Sequence, residues 1–437
     1  MRLLFLLPLL SICLGAAPAT ARMPDLGSLS THLAHLRVTH GANGGRDAGP
    51  ELTPVKHALR EWIERQLPAN PVRDLPDGSV HTLDSADLAP LAMRMNRQLD
   101  AARLTCGVGG TTTDRCVTPA DSDADLRGHI EPVQLSLLDN GRYVLVVTGV
   151  GVSCGYDESA YIYEHRADRR WHLVLASEQN DYAEGTYAPQ NFISIAVSPS
   201  EVGWNELAPP PLVTTLGFSP WCRSNWQTLY TRLWRSSPET PTPAPLLDRH
   251  DGFFMGGDMI AGARLTTRDL LVQYDAGSID TDVFTRVRIL HYRIAAGGKL
   301  ERIAPVALDP RSFVEEWMTS DWSQARVWNE PSADDAALAR LHPPAPAPDE
   351  ILSGSFDDSL RRCRADPSLW QVAVTLEASK TVPNPVPIYF HIRWMPPYRF
   401  TLVAAGHSPF AGCDEKMVEP DDVGTLFPLQ GWRADQP

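Results

Sequence analysis

Carboxylates and aromatic side chains that could bind a polar ligand lie in and beside predicted loops of this 437-residue chain. Asp181 and Tyr182 are followed by Tyr187, and Trp221 and Trp226 lie next to a later predicted strand. Aromatic rings offer flat apolar faces, and carboxylates accept hydrogen bonds from hydroxyl groups. We therefore predict a ligand-binding face made of these five residues. The alternative is that the aromatic residues pack within ordinary sheets.

Paired carboxyl groups would support a different chemistry, because glycoside hydrolases need two of them facing each other across the scissile bond. Many acidic residues lie between the predicted strands, and the sequence does not show which of them converge. They include Asp157, Glu158, Asp181, Glu184, Asp248, Asp251, Asp258, Asp280 and Asp282. No catalytic residue is assigned. Gly406-His407-Ser408 begins like a nucleophile elbow, but Phe410 stands where that motif requires glycine.

Three alternating carboxylates, Asp121, Asp123 and Asp125, suggest a calcium site, because hard cations bind several oxygen ligands from one loop. The EF-hand pattern fails, however. Leu126 occupies the position of its glycine, and Pro132 occupies the position of its bidentate glutamate. The alternative is a solvated acidic loop. The sequence therefore predicts no cofactor, with calcium at this loop as the exception to test.

The start of the chain has the features of a secretory signal peptide. Arg2 precedes an apolar run over Leu3–Leu14, and Ala19-Thr20-Ala21 provides a small-residue cleavage site. We therefore expect export to the periplasm or the extracellular space. No later stretch is long and apolar enough to predict a membrane span in the mature chain.

Cysteine usage agrees with export. Of seven cysteines, Cys13 would leave with the signal peptide, and the even number that remains predicts disulfides in an oxidising compartment. The sequence alone does not choose among the possible pairings. Proximity along the chain favours Cys106–Cys116, Cys154–Cys222 and Cys363–Cys413.

The composition limits the possible partners. A formal net charge of −14 repels phosphate backbones and anionic membrane surfaces, so nucleic acid is excluded as an expected partner. The remaining partner classes are a small molecule, a glycan or an envelope protein.

The elements that must position these residues change type along the chain. Val55, Leu59, Trp62 and Ile63 recur at helical spacing, and a second apolar helix follows over residues 88–102. Beyond Pro132, short β-branched and aromatic runs alternate with turn residues. These runs fall into groups of four, which favours propeller blades, while stacked sandwiches are the alternative. The predicted fold class is mainly β, propeller-like or stacked antiparallel sheets, with N-terminal helices and a C-terminal β module.

Composition and periodicity divide the chain into six segments. They are a signal peptide (1–21), a mobile leader (22–50), an N-terminal helical segment (51–130), a β-rich body with a helical insertion at 312–341 (131–341), a Pro-rich linker (342–349) and a C-terminal β module (350–437).

The sequence favours an exported non-enzymatic protein, either a ligand-binding or an envelope-interaction module. A signal peptide, paired cysteines and the lack of a complete catalytic constellation support this hypothesis. The alternative is a secreted carbohydrate-active hydrolase or lyase that uses loop carboxylates. A mainly β fold can host both functions, so only the site can separate them.

Overall fold

The computed structural model describes residues 26–433 apart from eighteen internal gaps. The residues outside the description in that range are 43–48, 69–71, 75–79, 83–84, 106–127, 140, 153–154, 167–169, 181–189, 200–209, 220–223, 257–260, 345–351, 358–359, 380–381, 384–385, 396–397 and 418–431. The predicted signal peptide therefore lies outside the described residues, as does most of the Pro-rich linker.

Three helices begin the described chain: α1 (Gly27–Ala42), α2 (Gly49–Gln66) and α3 (Ser85–Ala101). The apolar faces predicted for α2 and α3 are buried, with Trp62 and Met95 fully enclosed. The expected mobile leader is wrong over α1. Leu29, Leu33 and Leu36 recur at helical spacing and are buried in the same core, so this segment has an apolar face of its own.

Two short strands, β1 (Val72–Asp74) and β2 (Val80–Thr82), pair between α2 and α3. Four larger antiparallel sheets follow. Sheet 1 contains β3 (Gln134–Leu138), β4 (Tyr143–Val152), β5 (Gly155–His165) and β6 (Trp171–Ser177). Sheet 2 contains β7 (Asn191–Val197), β8 (Leu212–Ser219), β9 (Trp226–Arg235) and β10 (Leu247–Phe254).

In sheet 3 the strands are neighbours in chain order, whereas in sheet 4 β20 pairs with β16, and β15 pairs with β17. Sheet 3 contains β11 (Ala261–Leu265), β12 (Asp269–Gly277), β13 (Thr285–Ile294) and β14 (Leu300–Arg302). Sheet 4 contains β15 (Gly354–Phe356), β16 (Leu360–Arg362), β17 (Leu369–Leu376), β18 (Pro387–Met395), β19 (Arg399–Gly406) and β20 (Glu415–Met417). The last strand, β21 (Trp432–Arg433), returns to the edge of sheet 2, where it pairs with β7.

Three helices separate sheet 3 from sheet 4: α4 (Pro310–Thr319), α5 (Trp322–Ala325) and α6 (Asp335–Leu341). Asp309 caps α4 by accepting a hydrogen bond from the Ser312 backbone N–H at 2.8 Å, and Pro310 occupies the first helical position. The cap fixes the first turn of α4 beside sheet 3, which matters for the site below.

The apolar cores lie between successive layers. One core joins α1–α3 to sheet 1, a second joins sheets 1 and 2, a third joins sheets 2 and 3, and a fourth joins α4–α6 to sheet 4. The predicted fold class is therefore confirmed: the protein is mainly β, with several antiparallel sheets, N-terminal helices and a C-terminal sheet. Among the described helices, none has both the length and the apolar character needed to cross a membrane.

Candidate functional site

Three aromatic rings form a cluster where sheets 2 and 3 meet. Trp226 begins β9 and Phe254 ends β10, and the two are directly opposite each other in the antiparallel register. Phe284 lies in the turn before β13. The ring centroids are 5.2 Å apart for Trp226–Phe254, 5.4 Å for Trp226–Phe284 and 4.8 Å for Phe254–Phe284. We call Trp226, Phe254 and Phe284 the aromatic cluster.

The aromatic cluster exposes apolar surface to an unusual degree for this protein. Among the described residues only six large hydrophobic side chains are exposed, and three of them are here: Trp226, Val283 and Phe284, which is 64% exposed. Contiguous exposed apolar surface is typical of binding sites, whereas single exposed hydrophobic residues are common on any protein surface. The predicted ligand-binding residue Trp226 therefore belongs to the most exposed apolar patch that the structure describes.

Glycine makes room for the cluster on two sides. A Cβ atom at Gly277 would lie 3.2 Å from the Trp226 ring, and one at Gly256 would lie 2.5 Å from the Phe254 ring. The Trp226 and Phe254 rings therefore pack directly against glycine backbone. A larger residue at either glycine would displace the ring beside it.

A cavity of about 260 Å³ opens between sheet 3, α4 and sheet 4. Val283, the sequence neighbour of Phe284 in the aromatic cluster, is exposed and also lines this cavity. The polar part of its lining is the set Ser278, Asp280, Thr285, Arg286, Asp309, Arg311, Ser312 and Glu315. Such a combination of apolar wall and a few convergent polar groups is typical of small-ligand sites.

The turn between β12 and β13, which carries Val283 and Phe284, is tied to sheet 4. The Gly354 backbone N–H donates to the Ile279 carbonyl at 2.7 Å, and the Thr281 N–H donates to the Gly354 carbonyl at 2.9 Å. Sheets 3 and 4 together therefore position the mouth of the cavity.

The carboxylates of the cavity form hydrogen bonds and an ion pair with neighbouring groups of the protein. Glu315 accepts hydrogen bonds from the Ile279 backbone N–H at 2.6 Å and from the Ser278 hydroxyl at 3.0 Å, and it forms an ion pair with Arg286 at 3.0 Å. Burial raises the pKa of Glu315, although Arg286 opposes this shift. Asp280 accepts from the Asp282 backbone N–H at 3.1 Å. These contacts give a fixed polar lining rather than a carboxyl that is free to exchange protons.

An ion network centred on the fully buried Glu316 adjoins the cavity. Its carboxylate contacts Arg286 and Arg288 at 2.9 Å and Arg302 at 3.0 Å. Burial acts to raise the pKa of Glu316, but the three guanidinium groups together hold that pKa well below its usual range. Glu316 therefore stays ionised and orients Arg286, whose side chain also lines the cavity.

A second acidic group lies at sheet 1, where Glu131 precedes β3 and Glu158 is in β5. The Glu131 Oε2 atom lies 2.9 Å from the position that a Cβ would take at Gly149, and it has no hydrogen-bond partner among the described residues. Burial raises the pKa of Glu131 to about 7. Burial and the nearby Glu131 carboxylate both raise the pKa of Glu158, which accepts from the Phe192 backbone N–H. These two residues form the carboxylate pair.

Two of the acidic residues that the sequence placed between strands lie within β5. Asp157 and Glu158 are neighbours on this strand, so their side chains point to opposite faces. Asp157 forms a buried ion pair with Lys56 of α2, with Nζ and Oδ2 2.8 Å apart, and it also accepts from the Gln190 N–H at 3.2 Å. Asp157 thus joins α2 to sheet 1.

The other predicted site residues have different outcomes. Asp181, Tyr182, Tyr187 and Trp221 lie outside the described residues, and so do Asp121, Asp123 and Asp125 of the proposed calcium loop. Four of the cysteines, Cys106, Cys116, Cys154 and Cys222, are also outside. The structure contains a disulfide between Cys363 and Cys413. Together with His391 these cysteines form the one group of three potential metal ligands found in the described part of the chain.

No family model and no curated protein matches the sequence. Two solved structures overlap with it weakly. One is an exo-β-1,3-galactanase from Clostridium thermocellum, at 8% identity and a TM-score of 0.19, covering 63% of this chain and 48% of that one. The other is the GH43 protein BlXynB from Bacillus licheniformis, at 8% identity and a TM-score of 0.13, covering 69% of this chain and 58% of that one. The chain thus spans about half the length of these structures.

Proposed function

We propose that this is an exported, non-enzymatic protein that binds a sugar residue of a glycan at the aromatic cluster and the adjoining cavity. The observation that carries the proposal is the exposure of three apolar side chains, Trp226, Val283 and Phe284, of which Val283 also lines a polar cavity. Leaving these side chains in water has a free-energy cost that a bound ligand would remove.

A sugar fits both halves of this site. The C–H faces of a pyranose ring are apolar and weakly positive, so they stack on the negative face of an aromatic ring. The hydroxyl groups both donate and accept hydrogen bonds, which suits the mixed lining of Asp280, Arg286 and Arg311. A cavity of about 260 Å³ has room for about one sugar unit.

The contacts of the cavity carboxylates support binding without hydrolysis. A general acid must give its proton to the substrate and take it back. Glu315 is held by Ile279, Ser278 and Arg286, and Asp309 caps α4, so both carboxyl groups already have fixed partners. Proton exchange with a ligand would require breaking these contacts.

The second candidate function is a carbohydrate-active hydrolase or lyase. The observation that favours it is the carboxylate pair, because a glutamate with a pKa of about 7 can act as a general acid at neutral pH. The pair lies in sheet 1, whereas the aromatic cluster lies at the junction of sheets 2 and 3.

Calorimetric titration of the purified protein with oligosaccharides tests the proposal. The change Phe284→Ala removes an exposed ring that contributes little to the core, so we expect unchanged thermal stability and about thirtyfold weaker binding, equivalent to ~2 kcal/mol. Val327→Ala is the matched control, because Val327 is also 64% exposed but lies in a different part of the chain. Equal affinity for both variants would contradict the site assignment.

The same samples separate binding from turnover. We expect the oligosaccharide to be recovered unchanged after prolonged incubation. Release of shorter products that is lost in Glu131→Gln but kept in Phe284→Ala would instead support the hydrolase.

A further inference from the structure

The disulfide of sheet 4 lies against a histidine. Cys363 directly follows β16, Cys413 lies two residues before β20, and His391 is in β18. The His391 Nε2 atom is 3.4 Å from the Cys363 sulfur and 3.9 Å from the Cys413 sulfur. Both cysteines are buried and His391 is half-buried, and the three side chains form a compact group.

These separations are close to those of metal ligands. Zinc binds thiolate sulfur at about 2.3 Å and imidazole nitrogen at about 2.0–2.1 Å, with tetrahedral angles. In such a site the nitrogen lies about 3.6 Å from each sulfur. The two nitrogen–sulfur separations in this group bracket that value, so only the two bonded sulfur atoms would have to move apart.

A neighbouring aromatic ring holds the histidine in place. The His391 ring stacks on Phe410, with the ring centroids 4.6 Å apart and the planes 20° from parallel. This stacking fixes the ring plane while the Nε2 atom lies beside the two sulfur atoms. Metal ligation uses the neutral imidazole, because the charged ring has no free lone pair.

We propose that reduction of the Cys363–Cys413 disulfide converts this group into a binding site for a borderline transition metal such as Zn²⁺. A dithiol reductant supplies two electrons and two protons. The S–S bond opens to two thiols, and the reductant becomes a disulfide. Binding of the metal then displaces both thiol protons, leaving two thiolates and the imidazole as ligands, with the fourth position open to water. Because the disulfide has no thiolate, disulfide formation and metal binding exclude each other.

Cobalt(II) is a suitable probe, since tetrahedral cobalt with thiolate ligands has strong near-ultraviolet and visible absorption. The full chain is reduced with dithiothreitol, desalted without oxygen and titrated with Co²⁺. We expect the wild type to bind one equivalent more than Cys363→Ser/Cys413→Ser, which retains the remaining cysteines. His391→Ala should weaken that equivalent by about tenfold or more. The oxidised protein should lack it.

The matched control is His407→Ala, which removes an exposed histidine close to the same sheet whose Nδ1 lies 3.1 Å from the Pro387 carbonyl. This variant should bind cobalt as the wild type does. Near-ultraviolet circular dichroism of the reduced protein shows whether the fold persists. The proposal fails if the reduced protein unfolds, if the wild type and the double serine variant bind equally, or if the oxidised protein binds the same equivalent.

Discussion

The buried carboxyl of Glu131 makes the stability of the protein depend on pH. Its pKa is about 7 in the folded protein and 4.5 in the reference state, so the folded chain holds this proton more tightly than the unfolded chain does. The stability associated with this proton is fully present below pH 4.5 and is lost as the pH rises through 7. A pKa difference of about 2.5 corresponds to about 3 kcal/mol.

The variant Glu131→Gln isolates this effect, because glutamine is neutral at every pH and has nearly the same shape. We expect similar free energies of unfolding for the two proteins near pH 4.5. At pH 8 the variant should be the more stable by about 2–3 kcal/mol, because the wild type must bury a charge there. Removal of this charge also relieves its repulsion of Glu158.

Urea denaturation at half-unit pH steps between 4.5 and 8, followed by circular dichroism, measures the difference. Glu301→Gln removes a solvent-exposed carboxylate and controls for the change in net charge. The reasoning is refuted if the difference between Glu131→Gln and the wild type stays constant over this range, or if the variant loses stability as the pH rises.

Two further predictions concern a buried ion pair and the backbone beside the aromatic cluster. Lys56→Met leaves Asp157 buried without its cation, so we expect the free energy of unfolding, measured by urea denaturation, to fall by about 3–5 kcal/mol. The double variant with Asp157→Leu should regain much of that loss, and a double variant no more stable than the single one would contradict this. Gly277→Ala places a methyl group 3.2 Å from the Trp226 ring and should weaken oligosaccharide binding in calorimetric titration, whereas Gly252→Ala, where a Cβ meets nothing within 4 Å, should bind as the wild type does.

Local signals in the sequence predicted much of the fold. The Asp139-Asn140-Gly141 segment predicts a hairpin, and the structure has β3 and β4 on either side of it, with positive φ at Asp139 and Gly141. The apolar spacing in α2 and α3 likewise predicts their buried faces. By contrast, the predicted leader does not anticipate α1, because the glycines near residues 41–49 outweigh the helical spacing of its few leucines.

The candidate site was less accessible to sequence reasoning. Trp226 was singled out as an aromatic residue, but Phe284 joins it only because sheet 3 packs on sheet 2. Phe254 could have been found from the register of β9 and β10, once the hairpin between them was accepted. No sequence pattern distinguishes Glu131 or His391. Their pKa shifts come from burial, which depends on the tertiary packing around them.

The order of the layers has a consequence for how the chain assembles. Each large sheet is built mainly from consecutive strands, and the cores join layers that follow one another along the chain. Within each large sheet, most strands therefore pair with strands that are made at nearly the same time, which favours folding of one layer after another during synthesis. The pairing of β21 with β7 differs, since it brings together segments from distant parts of the chain and must wait until the last strand has been made.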